Sequence, residues 1–219
     1  MLFSLCLLFA EEAEKKRVSV HPALFVTLAP ALMINTDSAT NSAPSPIMYS
    51  LGVGGDFSFS NGFLLETHAS FFTNYYLWDG TDAQPAEVEN RTATALSALL
   101  DFCSGYTWNV GPEKKHALSL MGGAGIFLRY GILSNGVESD DENPKTLSRA
   151  SDDVSDINNW FYQNLRFLYP ELAISYLWSL SDTWKIGTEF RSYLPIGSLL
   201  HGEGIDGMLF SLGLKLSYK

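Results

Sequence analysis

Apolar and polar residues alternate with a period of two along most of the chain after residue 17. In the clearest stretch, 47–60, one parity carries Ile47, Leu51 and Phe57, while the other carries Asp56 and mostly serine and glycine. This alternation indicates strands with one apolar and one polar face. The same pattern predicts strands at 18–34, 47–60, 62–77, 91–109, 115–133, 160–180, 183–196 and 208–219.

One of these segments changes phase. Phe161, Leu165 and Phe167 share one parity, whereas the apolar residues from 172 onward have the other, with Pro170 between them. A proline removes a ladder donor, and a β-bulge adds one residue to a strand. We therefore predict a bulge near Pro170, which would turn Arg166 to the polar face.

The connections alternate between short and long. The turns at 60–61, 110–114 and 181–182 are short, whereas the connections at 35–46, 79–90, 134–159 and 197–207 are long. Short turns at one end and long loops at the other are typical of a membrane barrel. The sequence thus predicts an all-β fold, an eight-stranded antiparallel up-and-down transmembrane barrel with short periplasmic turns and long extracellular loops.

The alternation is also compatible with a soluble barrel that holds its apolar side chains inside. Two features favour a lipid-facing apolar surface. The strands reach the ~9–11 residues that a tilted membrane strand needs. Aromatic residues of apolar parity gather near strand ends, as in the girdles of membrane barrels. The predicted girdle comprises Tyr75, Trp108, Tyr130, Trp178, Trp184 and Tyr218.

The N-terminus begins with a short apolar run at 2–9, followed by Ala10 and an acidic stretch. Eight residues are too few for a membrane helix, which needs ~20, but they suit the core of a secretory signal. We expect residues 1–10 to be a signal peptide, 11–17 a periplasmic segment and 18–219 the barrel.

The C-terminal strand carries the most specific motif. Ser211, Gly213, Leu216 and Tyr218 fit a polar-x-Gly-x-x-hydrophobic-x-hydrophobic assembly signal, although the chain ends in Lys219 rather than an aromatic residue. With this motif, 18–219 resembles the small bacterial outer-membrane barrels of the OmpA, OmpX and OmpW kind. The resemblance implies an outer-membrane monomer that contacts lipid and the barrel-assembly machinery.

Charged residues lie on the polar parity in mid-strand. Because a buried charge without a partner is costly, we expect them to form a balanced network that plugs the lumen. A gated polar path is the alternative. The predicted network contains Asp56, Glu66, Asp101, Arg129, Arg166, Glu171, Lys185, Glu189, Arg191 and Lys215.

The formal charge of −10 excludes the basic surface that nucleic-acid binding requires. Most of this charge falls in the long loops, which could solvate the surface or bind a basic host ligand. We predict no dedicated metal site and no cofactor, although Glu138, Asp140, Asp141 and Glu142 could form a weak cation site. The polar composition of 134–159 predicts a loop that cannot order itself away from the barrel rim.

The favoured function is a plugged outer-membrane body with acidic surface loops, acting structurally or in adhesion. The alternative is an OmpW-like channel for small hydrophobic molecules, with an upper lumen lined by Phe72, Leu165 and Phe167 and an exit through the wall. An enzyme that modifies lipid A is less favoured, because only His201, near Ser198, lies in an outer loop. We therefore predict no catalytic residues.

Overall fold

A computed structural model describes residues 19–36, 45–87, 91–202 and 204–219. The expected signal peptide and the segment 11–17 lie outside these residues. The described residues form, in chain order, β1 (Val20–Met33), β2 (Ile47–Phe59), β3 (Phe63–Trp78), β4 (Ala83–Pro85), β5 (Ala93–Val110), β6 (His116–Leu133), α1 (Ala150–Tyr162), β7 (Leu168–Ser179), β8 (Trp184–Tyr193), α2 (Ile196–His201) and β9 (Leu209–Tyr218).

Eight long strands close into one antiparallel barrel. Each pairs with its neighbour along the chain, and the pairing of β1 with β9 completes the ring, while the three-residue β4 pairs with the top of β3. The predicted fold class and eight-stranded topology are confirmed. No helix among the described residues has the length and apolarity needed to cross a membrane.

The outer wall of the barrel is apolar. Leu28, Leu51, Phe102 and Leu214, on four different strands, are each between 57% and 59% exposed, and similar residues surround the barrel. Such a continuous belt suits contact with hydrocarbon. Trp108, Trp178, Trp184 and Tyr218 are exposed at the short-turn end, and Tyr130 is exposed toward the long-loop end. Tyr75 is only partly exposed, because Arg91 lies over its ring at 5.0 Å.

The long loop predicted not to order itself away from the barrel rim contains the helix α1, which packs on that rim. The buried residues of α1 are Ala150, Asp153, Ile157 and Phe161, a spacing of three to four that places them on one helical face. Ile157 and Phe161 pack against Tyr76 and neighbouring residues at the top of β3 and β5. The loop is therefore an ordered cover on the extracellular mouth of the barrel.

The predicted start of the sixth long strand was also wrong. Residues 160–162 belong to α1, a 3₁₀ turn follows at Gln163–Leu165, and β7 begins only at Leu168. The register of β7 against β6 is unbroken from Trp178 to Leu168, so the proposed bulge is absent from this pairing. The phase change in the sequence arises because Phe161 belongs to α1 and Leu165 to the 3₁₀ turn, so neither residue is part of the strand that contains Pro170.

The pairing of β7 with β6 ends at Leu168 and Ile126, although β6 continues to Leu133 at the long-loop end. On the edge that β7 leaves uncovered, α1 takes the position of a strand. Tyr162 Oη accepts a hydrogen bond from the Arg129 amide at 3.1 Å and donates to the Arg129 carbonyl at 2.6 Å. One turn earlier, Asn158 accepts from the Gly131 amide at 2.8 Å and donates to its carbonyl at 2.9 Å. Two helical side chains thereby satisfy the backbone groups that a neighbouring strand would otherwise bind.

Candidate functional site

A cluster of charged side chains, here called the central cluster, crosses the lumen at mid-height. Arg191 Nη1 lies 2.7 Å from Glu171 and 3.7 Å from Asp101, its Nε donates to Glu189 at 2.7 Å, and Nη2 contacts Glu66. Its members, from six strands, are Asp56, Glu66, Asp101, Glu171, Glu189, Arg191 and Lys215.

Lys215 is the second cation of the central cluster. Its Nζ lies 2.9 Å from Glu189 and 3.6 Å from Asp56, and it also contacts Glu66. On another side it lies over the Phe25 ring, 3.7 Å from the centroid. The seven members of the cluster are between 1% and 7% exposed. Ion pairs in such a water-poor interior are strong, and the cluster fills the section of the lumen that it crosses.

Three predicted members do not belong to the central cluster, so the balanced count of five acids and five bases was wrong. Arg129 and Arg166 lie at the mouth beneath α1, where both guanidinium groups stack on aromatic rings. Lys185 is half-buried and lines the periplasmic vestibule. The cluster instead brings five carboxyl groups against two strong bases.

A histidine missing from the predicted network joins the cluster. His68 Nδ1 lies 3.0 Å from Asp101 Oδ2, and its Nε2 lies 3.0 Å from Thr27 Oγ1. Two neutral donors also serve the carboxylates: Tyr193 Oη donates to Asp101 at 2.9 Å, and Cys103 Sγ to Glu171 at 3.0 Å. Strand parity placed His68 on the polar face, but its partnership with Asp101 depends on the register of β3 and β5, where the two residues are direct neighbours.

Glycines on the polar face make room for these side chains. A Cβ at Gly52 would lie 2.2 Å from His68 Nε2 and 2.3 Å from Thr27 Oγ1. At Gly125 it would lie 2.5 Å from an Asp101 carboxylate oxygen. All three distances are far below van der Waals contact. The space left by these glycines is therefore occupied by the polar side chains of His68, Thr27 and Asp101.

The Asp101, His68 and Thr27 row has the order of an acid, a base and a hydroxyl nucleophile. The cavity beside Thr27 and His68, however, has a volume of about 30 Å³. A volume of this size holds about one water molecule. The row therefore has space for a water but not for an ester or peptide substrate.

A second cavity, here called the mouth cavity, lies above the cluster and has a volume of about 120 Å³. Its walls come from the tops of several strands and from α1, and they include Met33, Tyr76, Arg129, Trp160, Tyr169 and Pro195. On the periplasmic side, a vestibule of about 310 Å³ is lined mainly by small polar residues together with Lys185 and Lys215. These two spaces share no lining residue, and the central cluster lies between them.

The residues of the predicted assembly signal share one strand, whereas those of the possible cation site do not form a site. Ser211, Gly213, Leu216 and Tyr218 all lie in β9, where a Cβ at Gly213 would come within 2.4 Å of the Leu28 carbonyl on β1. Among the residues the structure describes, no three or more acidic, histidine or cysteine side chains are grouped to hold a metal, so Glu138, Asp140, Asp141 and Glu142 form no ligand set.

His201 and Ser198, the candidate enzymatic pair in an outer loop, do not contact each other through a hydrogen bond in the described structure. His201 Nδ1 lies 2.9 Å from the Gly197 carbonyl rather than against a serine hydroxyl. Of the three residues proposed for an apolar upper lumen, Phe72 is buried there beside Phe127, whereas Leu165 is 43% exposed and Phe167 is half-buried below α1. Phe72 thus belongs to an apolar cluster that fills the upper lumen.

The fold is similar to that of two solved outer-membrane barrels. Neisserial surface protein A (NspA) matches with a TM-score of 0.51 and 7% sequence identity, covering 92% of this chain and 99% of that one. OprG from Pseudomonas aeruginosa matches with a TM-score of 0.51 and 10% identity, covering 89% and 95%. No protein-family model and no curated protein sequence matches the chain. The chain therefore has the fold of these small eight-stranded barrels, and its apolar wall fits contact with lipid.

Proposed function

We propose that this barrel is a sealed body in the outer membrane that carries a structured, acidic binding surface and does not conduct. The central cluster carries the proposal, because its two cations hold carboxyl groups from strands on opposite sides of the lumen. A polar path would require these buried ion pairs to separate, which leaves charges without partners. An eight-stranded barrel also has an interior only wide enough for side chains.

Conductance across planar lipid bilayers tests the seal. The refolded protein should insert without discrete conductance steps. Arg191→Ala removes the side chain that reaches four carboxyl groups and should introduce a leak, whereas Lys185→Ala, in the vestibule, should remain silent. Steps of equal size from the wild-type protein and Arg191→Ala would overturn the proposal.

The acidic surface supports the binding role. Glu138, Asp140, Asp141, Glu142, Asp152 and Asp156 are exposed on the loop that carries α1. Since α1 packs on the barrel mouth, these carboxylates are presented on an ordered support. A basic partner surface should bind with an affinity that falls as salt screens the charges. Neutralising Asp140, Asp141 and Glu142 to their amides should weaken attachment to polylysine-coated beads, and unchanged attachment would argue against this role.

We assign the protein no enzymatic activity. The row of Asp101, His68 and Thr27 supports this, since its cavity of about 30 Å³ has no space for a substrate. Release of fatty acid from labelled lipid A in mixed micelles tests the assignment. Release that disappears in Thr27→Ala or in His201→Ala would contradict it.

A channel for small hydrophobic molecules is the second candidate, and one observation favours it. The pairing of β2 with β3 ends at Leu51 and Phe71, although both strands continue toward the mouth. The wall is thus unpaired there, next to the apolar cluster that contains Phe72. In a vesicle uptake assay, Phe72→Trp should reduce entry of a small hydrophobic tracer, and Phe71→Trp on the lipid face should not. Equal uptake by both variants and the wild type would exclude this route.

A further inference from the structure

The mouth cavity contains a buried cation whose charge the described residues leave uncompensated. Arg129 is 3% exposed and lines the cavity, and none of the described residues places a carboxylate within 4.0 Å of its guanidinium nitrogens. Its Nη2 donates only to neutral carbonyls, those of Phe161 at 3.3 Å and Arg166 at 2.7 Å. Its Nε has no acceptor among the described residues. A buried charge in this condition is costly unless an anion pairs with it.

The two carboxylates that line the same cavity are engaged elsewhere. Asp82 accepts from the Trp160 indole at 2.9 Å and lies 3.7 Å from Arg166. Asp206 accepts from the hydroxyl of Thr36 at 2.7 Å and from its amide. Neither reaches Arg129, so no carboxylate among the described residues compensates this charge.

The remainder of the wall is aromatic and apolar. The Arg129 guanidinium lies 4.3 Å from the centroid of the Phe161 ring and 4.4 Å from that of Phe127, and these contacts hold it in one orientation. Tyr76, Tyr169 and Trp160 contribute further rings, with Met33 and Pro195 beside them. A volume of about 120 Å³ is close to that of cavities that hold a single benzene ring.

We propose that the mouth cavity binds a small carboxylate with an aromatic or short apolar body. The carboxylate pairs with Arg129, and the apolar body packs against the rings. This inference concerns binding at the mouth only and holds whether or not the lumen conducts, so its failure and that of the sealed-barrel proposal are distinguishable.

Benzoate is a suitable probe, and benzamide is its neutral match in shape. Refolded protein in detergent is titrated with each compound by calorimetry, with empty micelles as the blank. Benzoate should bind saturably, and benzamide about 10- to 100-fold more weakly, the ratio expected for loss of one hydrogen-bonded charge. Equal affinities for the two compounds, or no saturable binding of benzoate to folded protein, would overturn the proposal.

Two variants locate the site. Arg129→Gln should weaken benzoate binding by the same roughly 10- to 100-fold. Arg149→Gln, which changes an exposed arginine in the loop that carries α1, should leave benzoate binding unchanged. If Arg129→Gln fails to fold, Ser198→Leu provides a second test, because a larger side chain at this lining residue should displace the apolar body. Unchanged affinity in the folded Ser198→Leu variant would place the binding elsewhere and refute the assignment.

Discussion

Replacement of Arg191 by methionine should destabilise the barrel more than any other single loss of charge on its strand. The methionine keeps an apolar stem of similar length but leaves Glu66, Glu171 and Glu189 without the group that binds them. Breaking a buried ion pair by removing one partner costs about 3–5 kcal/mol, because the remaining charge stays buried. Arg191 serves several carboxylates, so we expect the upper part of this range.

Lys185→Met is the matched control, because it removes one positive charge from the same strand. Lys185 is half-buried in the vestibule and has no ion pair within 4.0 Å among the described residues, so its loss should cost about 1 kcal/mol or less. Urea unfolding of protein refolded into lipid vesicles, followed by tryptophan fluorescence, gives both free energies of unfolding.

A double variant separates charge from packing. Glu171→Gln combined with Arg191→Met removes one of the unpartnered carboxylates and should cost about 0.5–3 kcal/mol less than the sum of the single changes. Lowering the pH should also reduce the penalty of Arg191→Met, since the carboxyl groups then take up protons. Equal costs for Arg191→Met and Lys185→Met, or strict additivity in the double variant, would refute the central cluster as an energetic unit.

Two further predictions concern the wall and its cover. Leu100→Arg, on the lipid face opposite Ile126, should lower the free energy of unfolding by about 2–4 kcal/mol in the same assay, and Val110→Arg at the periplasmic end of β5 by only about 0–1 kcal/mol. Equal losses would mean that the membrane belt is misplaced. Asn158→Leu should speed hydrogen exchange at the Gly131 amide and cost about 1–3 kcal/mol, since both backbone groups lose their partner. Asn159→Leu, exposed on the next position, should change neither quantity, and equal exchange in both variants would contradict the role of α1 as an edge partner.

The barrel was predictable because its signal is local. Each strand alternates within its own sequence, so the outward position of Leu100 and the inward position of Asp101 follow from parity alone. The composition of the central cluster was not predictable from the sequence, because it depends on the register between neighbouring strands. Arg129 has the same parity as Arg191 but lies too high on β6 to meet the acids, and parity carries no information about height.

The helix α1 was not predicted, because its sequence lacks a clear amphipathic pattern. Its inward face contains Asp153, which is fully buried, where an amphipathic pattern would have an apolar residue. The structure compensates this carboxylate with Asn143, which donates at 2.6 Å, and with the hydroxyl of Ser148. Both partners come from the preceding turns, so the helix depends on tertiary contacts that neither the spacing nor the composition of the loop indicates.

The side-chain ladder from α1 to β6 divides this surface loop into two parts with different freedom to change. Residues 150–162 are bound to the wall and to the mouth, so a foreign peptide inserted there would expose the upper edge of β6. Asn143 and Ser148 are tied to Asp153 of the helix, whereas Asn135 and Gly136 face solvent in a turn, and a side chain at Gly136 would meet no atom within 4 Å. Epitope tags, affinity labels or displayed peptides should therefore be grafted around Gly136, where the barrel serves as a rigid carrier and the insert remains accessible to solvent.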